Sequence, residues 1–412
     1  MKSNKTIIFL GDGMADEPVD SLGGRTPLQV AHTPGMDAIA RQGQSGTLFT
    51  LPEGFPTSSD VANMSVLGCD LSNEYCGRGA LEAVSQGIPL NPGDIAFRVN
   101  FTTTEDGILT DFSGGHVPQA DAEALIQALN DQLATPHLRF YPGVSYRNLL
   151  ILSGPDFSTD VTTEKPDDNQ GDRVDEHLPT VNGAHDGHTA ETLIRLMREA
   201  AAILEEHPVN RQARAANRAP ANGIWPWSGG TATAIHTLRD KYGITSAVIS
   251  AVDVINGLGR CLGMDVITVP GATGYIDTNY EGKADAALAA LETHDFVYLH
   301  VEAIDEVSHA MDLELKIRTI EAFDRRVVCR VLEGLKSKPV TTVVLPDHPV
   351  PIRLGKHTRT PVPVSIAGPD WVADAVTTFD EESCLDGALG HLANGDLMAR
   401  LFGPVSSRAG KM

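Results

Sequence analysis

The chain has 412 residues, 42% of them hydrophobic, enough to bury a large core and to build two domains or one with an insertion. Its 54 acidic residues outnumber 32 basic ones for a net charge of −22, which excludes the basic footprint of a nucleic-acid binder and opposes an anionic membrane surface. Five dispersed cysteines without a CxxC pair argue against a disulfide framework or zinc knuckle.

In chain order, residues 5–10 (KTIIFL) read as a short buried strand stopping at Gly11, and 44–51 (QSGTLFTL) as a second. The first run is too short for a signal peptide, and no stretch reaches the ~20 apolar residues of a membrane span, so a cytoplasmic location is expected. Between 60 and 67, Val61, Met64, Ser65 and Leu67 recur at helical spacing, with Ser59 at the N-cap. From 96 to 185 the pattern changes. Alternating segments at 97–103 and 146–152, a helix at 120–133 and an acidic, loop-rich passage predict a smaller inserted α/β domain. A helix follows at 189–206. Apolar runs at 246–252, 265–269, 296–301 and 341–345 then accompany helical patterns at 231–242, 284–292 and 313–335. Strands alternating with helices predict an α/β fold, a parallel sheet with helices on both faces, assembled from 1–95 and 186–412.

Polar clusters fall just beyond the strands, where open α/β sheets place their sites. Asp12 lies between two glycines, an ordinary turn or a place where the backbone can approach an ion. Ser58 and Ser59 precede a helix whose free N–H groups attract an anion, and spacing does not choose between them. Asp305 and His309, four apart, share one helical face. Asp347 and His348 end the strand at 341–345, and His357 follows nine residues later. Three carboxylates, three imidazoles and a hydroxyl are a donor set for two divalent cations with a serine between them. Three imidazoles favour Mn²⁺ or Zn²⁺ over Mg²⁺.

These motifs resemble the alkaline phosphatase superfamily, and more closely its cofactor-independent phosphoglycerate mutases of the archaeal type and their bacterial relatives. The matching segments run nearly end to end: GDGMAD at 11–16, PTSSDVANMSVLGCD at 56–70, GRGALEA at 77–83, HPVN at 207–210, DTNYEGKADAAL at 277–288, HVEAIDEVSH at 300–309 and LPDHPVPIRLGKHT at 345–358. The resemblance implies that Ser59 is a phosphorylated nucleophile. It implies one metal at Asp12, Ser59, Asp347 and His348, and a second at Asp305, His309 and His357. It also implies an inserted substrate domain, with His116 in Ser-Gly-Gly-His as acid/base or phosphate ligand and Arg78, Arg147 and Lys283 as substrate-binding residues. The partner would be a small phosphorylated metabolite, with no 2,3-bisphosphoglycerate required. In place of the Pro-His-Asp and following lysine expected of relatives, this chain has Pro166-Asp167-Asp168 and Asp172. Transfer between the hydroxyls of 2- and 3-phosphoglycerate is the implied reaction. A homoserine kinase-like phosphotransferase or a phosphomonoesterase could share the ligand set, whereas a binding protein that had lost catalysis would usually lack some ligands, and none is missing.

Overall fold

The structure, a computed structural model, describes residues 5–182, 187–231, 235–336 and 338–403. It divides into two compact units, one formed by 1–75 and 235–412 and the other by 76–234.

The first unit is built on an eight-stranded sheet. Its order is Asp265–Val266, Ser246–Ile249, Phe296–Val301, Lys5–Gly11, Val340–Leu345, Val362–Ala367, Gln44–Phe49, Gly390–Ala393. The first five strands are parallel, as expected. Val362–Ala367 departs from expectation, running antiparallel to both its neighbours. The central strands carry near-continuous apolar runs because both faces are covered. Ile7, Ile8, Phe9 and Leu10 are all fully buried. Each contributes about 1.5–3 kcal/mol, enough to offset the roughly 1–2 kcal/mol of ordering each backbone residue.

Several expected elements are shorter or interrupted. The runs at 246–252 and 265–269 give strands only at Ser246–Ile249 and Asp265–Val266. The helix expected over 231–242 forms only at Leu238–Tyr242, where Thr237 supplies a capping box, and 232–234 lie outside the described residues. The long pattern at 313–335 is helical throughout but widens to a π-helical segment at Asp324–Val328. There Asp324 turns its buried carboxylate to the amides of Gly35 and Met36 at 3.0 and 2.7 Å, satisfying free N–H groups at another helix's start.

The second unit is larger than the 96–185 expected for the insertion. Gly223–Thr231 pairs antiparallel with Ile95–Glu105, from Ile95↔Thr231 to Thr102↔Gly223, so both belong to the inserted sheet. The helix Arg78–Ser85 packs on these same two strands. The expected boundary at 185/186 falls within 183–186, outside the described residues. Phe97, Phe101, Leu125, Leu193, Leu196 and Trp225 are among the residues of this unit's own core.

Candidate metal centre

Three neighbouring parallel strands end in register, with Gly11 opposite Val301 and Leu10 opposite Leu345. Their C-terminal ends therefore deliver Asp12, the helix Ala303–His309 and the Asp347-His348 turn to one edge of the sheet. The Asp12 amide continues the ladder by donating to Val301 O at 3.0 Å. Gly13 follows in the left-handed region at φ +63, and a Cβ on it would lie 2.7 Å from the Asp305 Cα. The glycine is needed because two ligand-bearing segments meet there without room for a side chain.

One cluster contains Asp305, His309 and His357. The two Nε2 atoms are 3.0 Å apart, and they lie 3.3 and 3.5 Å from the Asp305 carboxylate oxygens. Carbonyl oxygens fix both rings: His309 Nδ1 donates to Gly355 O at 2.8 Å and His357 Nδ1 to Thr57 O at 3.1 Å. Both Nε2 atoms thereby face the carboxylate. Burial opposes charge on Asp305, but the two imidazoles facing its oxygens outweigh it and hold the carboxyl well below its usual range. Burial likewise opposes charge on His309, and the Asp305 hydrogen bond and charge raise it to about 9.

The second cluster contains Asp12, Ser59, Asp347 and His348. His348 Nε2 is 3.2 Å from Ser59 Oγ and 3.4 Å from both Asp12 Oδ1 and Asp347 Oδ2. Its ring stacks on His357 with centroids 3.8 Å apart, joining the clusters. Burial, then the charges of Asp347 and Asp305, push the Asp12 carboxyl well above its ordinary value. Burial raises Asp347 to about 7 and drives His348 well below the usual imidazole range. Asp12 Oδ1, Asp305 Oδ1 and His348 Nδ1 are buried without a hydrogen-bond partner. Clustered buried carboxylates with orphaned oxygens are uncompensated unless a cation or proton joins them. The oxygen and imidazole donors, with no thiolate, fit divalent ions.

All seven residues expected at the metals thus form one contiguous constellation. The helix start differs from expectation. Ser58 is the extended N-cap and Ser59 the first residue of Ser59–Val66, which turns the Ser59 hydroxyl toward His348. Ser58 Oγ is buried without a hydrogen-bond partner. Sequence reasoning missed the supporting layer. Tyr298 and His300 stand two apart on the strand Phe296–Val301, hence on one face. Tyr298 OH donates to Asn63 Oδ1, and Asn63 Nδ2 donates to Asp347 Oδ2 at 2.8 Å. His300 Nε2 is 2.9 Å from Asp12 Oδ2, and burial lowers its pKa to about 3. The signal was two polar rings at period-two spacing inside an otherwise apolar strand.

Lys283 departs from its expected place at a substrate. Its side chain is fully buried, its amine donates to His300 O at 3.2 Å, and burial lowers it to about 8 against the opposing charge of Glu302. In the second unit, Ser113 donates to Asp111 at 2.6 Å, so its oxygen accepts from His116 Nδ1 at 2.9 Å and His116 Nε2 is left outside this pair. His116 has φ +50, an uncommon conformation for a non-glycine residue. Burial lowers Arg98 to about 10, with Glu82 opposing and Arg78 and Arg147 adding repulsion. Arg78 and Arg98 both hold Glu82, at 3.3 and 3.0 Å, and Arg147 lies over Tyr146. In the acidic loop, Asp172 Oδ2 lies 3.3 Å from His177 Nε2.

The family model for 2,3-bisphosphoglycerate-independent phosphoglycerate mutase matches residues 40–210. The protein of that name from Methanosarcina acetivorans is 46% identical over 400 residues, 96% of this chain and 99% of its own length. Among solved structures, a Pyrococcus horikoshii protein superposes with a TM-score of 0.81 at 28% identity, over 98% of both chains. The cofactor-independent phosphoglycerate mutase of Thermoplasma acidophilum gives 0.64 at 30% identity, over 97% of this chain and 98% of its own. The chain belongs to the 2,3-bisphosphoglycerate-independent phosphoglycerate mutase family.

Proposed function

We propose that this chain interconverts 2-phosphoglycerate and 3-phosphoglycerate through a phosphoserine at Ser59, without 2,3-bisphosphoglycerate. The observation that carries the reading is the contact between Ser59 and a donor set, its three carboxylates buried, that is large enough for two ions. Asp305, His309 and His357 would hold one ion, and Asp12, Asp347 and His348, with Ser59, the other. Mn²⁺ or Zn²⁺ suits the three imidazoles better than Mg²⁺. Two such ions supply charge neutralisation at phosphoryl oxygens and lower the pKa of a bound hydroxyl.

Ser59 Oγ attacks phosphorus while the bond from phosphorus to the donor oxygen breaks, leaving glycerate with a free hydroxyl. The other glycerate hydroxyl then attacks the phosphoserine and regenerates Ser59. The free amides at the start of Ser59–Val66 stabilise charge developing beside the serine. His116 Nε2 is assigned proton transfer at the glycerate oxygens, and Arg78 and Arg147 bind substrate anions. Burial argues for a supporting role at Lys283 instead of direct substrate contact. Among the described residues no helix is long and apolar enough to cross a membrane, and the free thiols suit a reducing cytoplasm.

The test is turnover by metal-reconstituted protein with each phosphoglycerate, with homoserine plus ATP, and with generic phosphate esters. Interconversion of the phosphoglycerates that exceeds phosphate release is expected. Phosphorylation of homoserine, or release of phosphate from all esters alike, would overturn the mutase reading.

A further inference from the structure

The geometry points to His300 as a positioning residue for the metal centre. Through a hydrogen-bond relay from Ser250, it turns Asp12 so that a single oxygen faces the cation. This deepens the reading above and rests on Asp12 being a metal ligand.

Hydrogen-bond direction fixes the relay. An ionised Asp12 carboxylate only accepts, so the 2.9 Å contact to Oδ2 requires a proton on His300 Nε2. In a neutral ring Nδ1 must then accept, and Ser250 Oγ stands 3.1 Å from it. Ser250 can give its proton there because its oxygen already accepts from the Val252 amide at 3.0 Å. The order is Val252 N–H to Ser250, Ser250 O–H to His300 Nδ1, His300 Nε2–H to Asp12 Oδ2. The ring and the carboxylate are fully buried, so water does not compete.

Two consequences follow for Asp12. Its Oδ2 is committed, and its buried Oδ1, which has no hydrogen-bond partner, lies 3.4 Å from His348 Nε2. Rotation of the carboxylate would break the His300 contact, so Oδ1 is the oxygen left to face a cation once Asp12 is ionised. The relay also decides a competing possibility. Asp12, His300 and Glu302 lie close enough together to suggest a further cation site. A protonated Nε2 cannot be a ligand, and the Lys283 amine, which donates to His300 O, already brings positive charge beside Glu302.

The experiment measures Mn²⁺ stoichiometry and affinity in chelator-stripped, refolding-competent full-length protein. The wild type is compared with Asp12→Ala, His300→Leu, His300→Gln and Ser250→Ala. Asp12→Ala should lose one of two ions. His300→Leu should weaken that same ion about 10–100-fold and leave the other unchanged. His300→Gln, which keeps an N–H near the Nε2 position, should recover most of the loss, a rescue that packing alone does not predict. Ser250→Ala should fall between. Wild-type affinity for both ions in His300→Leu, with one ion lost in Asp12→Ala, overturns the role of His300 and leaves the ligand reading intact. Both ions retained in Asp12→Ala overturns the ligand reading and the inference with it. Should His300→Leu fail to fold, ¹⁵N-histidine spectra of the wild type decide: an Nε2–H tautomer is expected, and an Nδ1–H tautomer overturns the relay.

Discussion

Replacing Gly13 by alanine tests whether close approach of two segments sets the metal geometry. The new Cβ would sit 2.7 Å from both the Cα and an Oδ of Asp305, and must retreat to the 3.4 Å at which ordinary contact begins. The obstacle includes backbone, so it cannot swing aside like a flexible side chain. Alanine at φ +63 also costs about 1–2 kcal/mol of backbone strain. Gly23 provides the control: its φ is +69, yet nothing lies within 4 Å of a Cβ there. Both variants should therefore carry this strain in urea unfolding, and Gly13→Ala should lose more because of the clash. Only Gly13→Ala should also lose turnover, on the order of 10–100-fold, because a ligand displaced by a fraction of an ångström degrades the reacting geometry. A Gly13→Ala protein as active as Gly23→Ala would refute the argument.

Lys316 is fully buried and ties Asp16, at 2.8 Å, to Val350 O at 2.9 Å, bridging the chain just after Asp12 to the chain just after His348. Lys316→Met should cost about 3–5 kcal/mol in urea unfolding by stranding the Asp16 carboxylate, and adding Asp16→Asn should restore part of it. Asp305→Ala should retain one ion per chain by elemental analysis and lose nearly all turnover. The hydrogen bond from Arg326 lowers Glu281 from 4.5 to about 2. A depressed carboxyl stabilises the fold fully above its unfolded value and loses this contribution as pH falls from 4.5 toward 2. The pair is well exposed, so Glu281→Gln should cost under about 1 kcal/mol at pH 7 and progressively less as pH falls from 4.5 through 2, read from urea midpoints.

The parts of this molecule legible in its sequence are those where local pattern and chemistry coincide. Residues 5–10, 296–301 and 341–345 are buried on both faces, so unbroken apolar runs announced them, and the polar residues after them marked the sheet's edge. Long-range pairing was not legible. Nothing near 223–231 signals that it lies beside 95–105, and that pairing enlarges the inserted unit. Helix capping misled by one residue because Ser58 and Ser59 are chemically equal and only the extended backbone of Ser58 separates them. Lys283 looked like a substrate cation because charge is visible in sequence and burial is not. His300 escaped notice for the opposite reason, a polar ring inside a strand read as apolar.

The central claim is that phosphate passes through Ser59, and mass spectrometry of protein quenched during turnover tests it most directly. Ser59 Oγ contacts His348, whereas Ser58 Oγ is buried without a hydrogen-bond partner. Phosphate is therefore expected on Ser59 alone. Ser59→Ala should lose on the order of 10³-fold or more in rate, and Ser58→Ala far less. Phosphate on Ser58, or undiminished turnover in Ser59→Ala, would contradict the account.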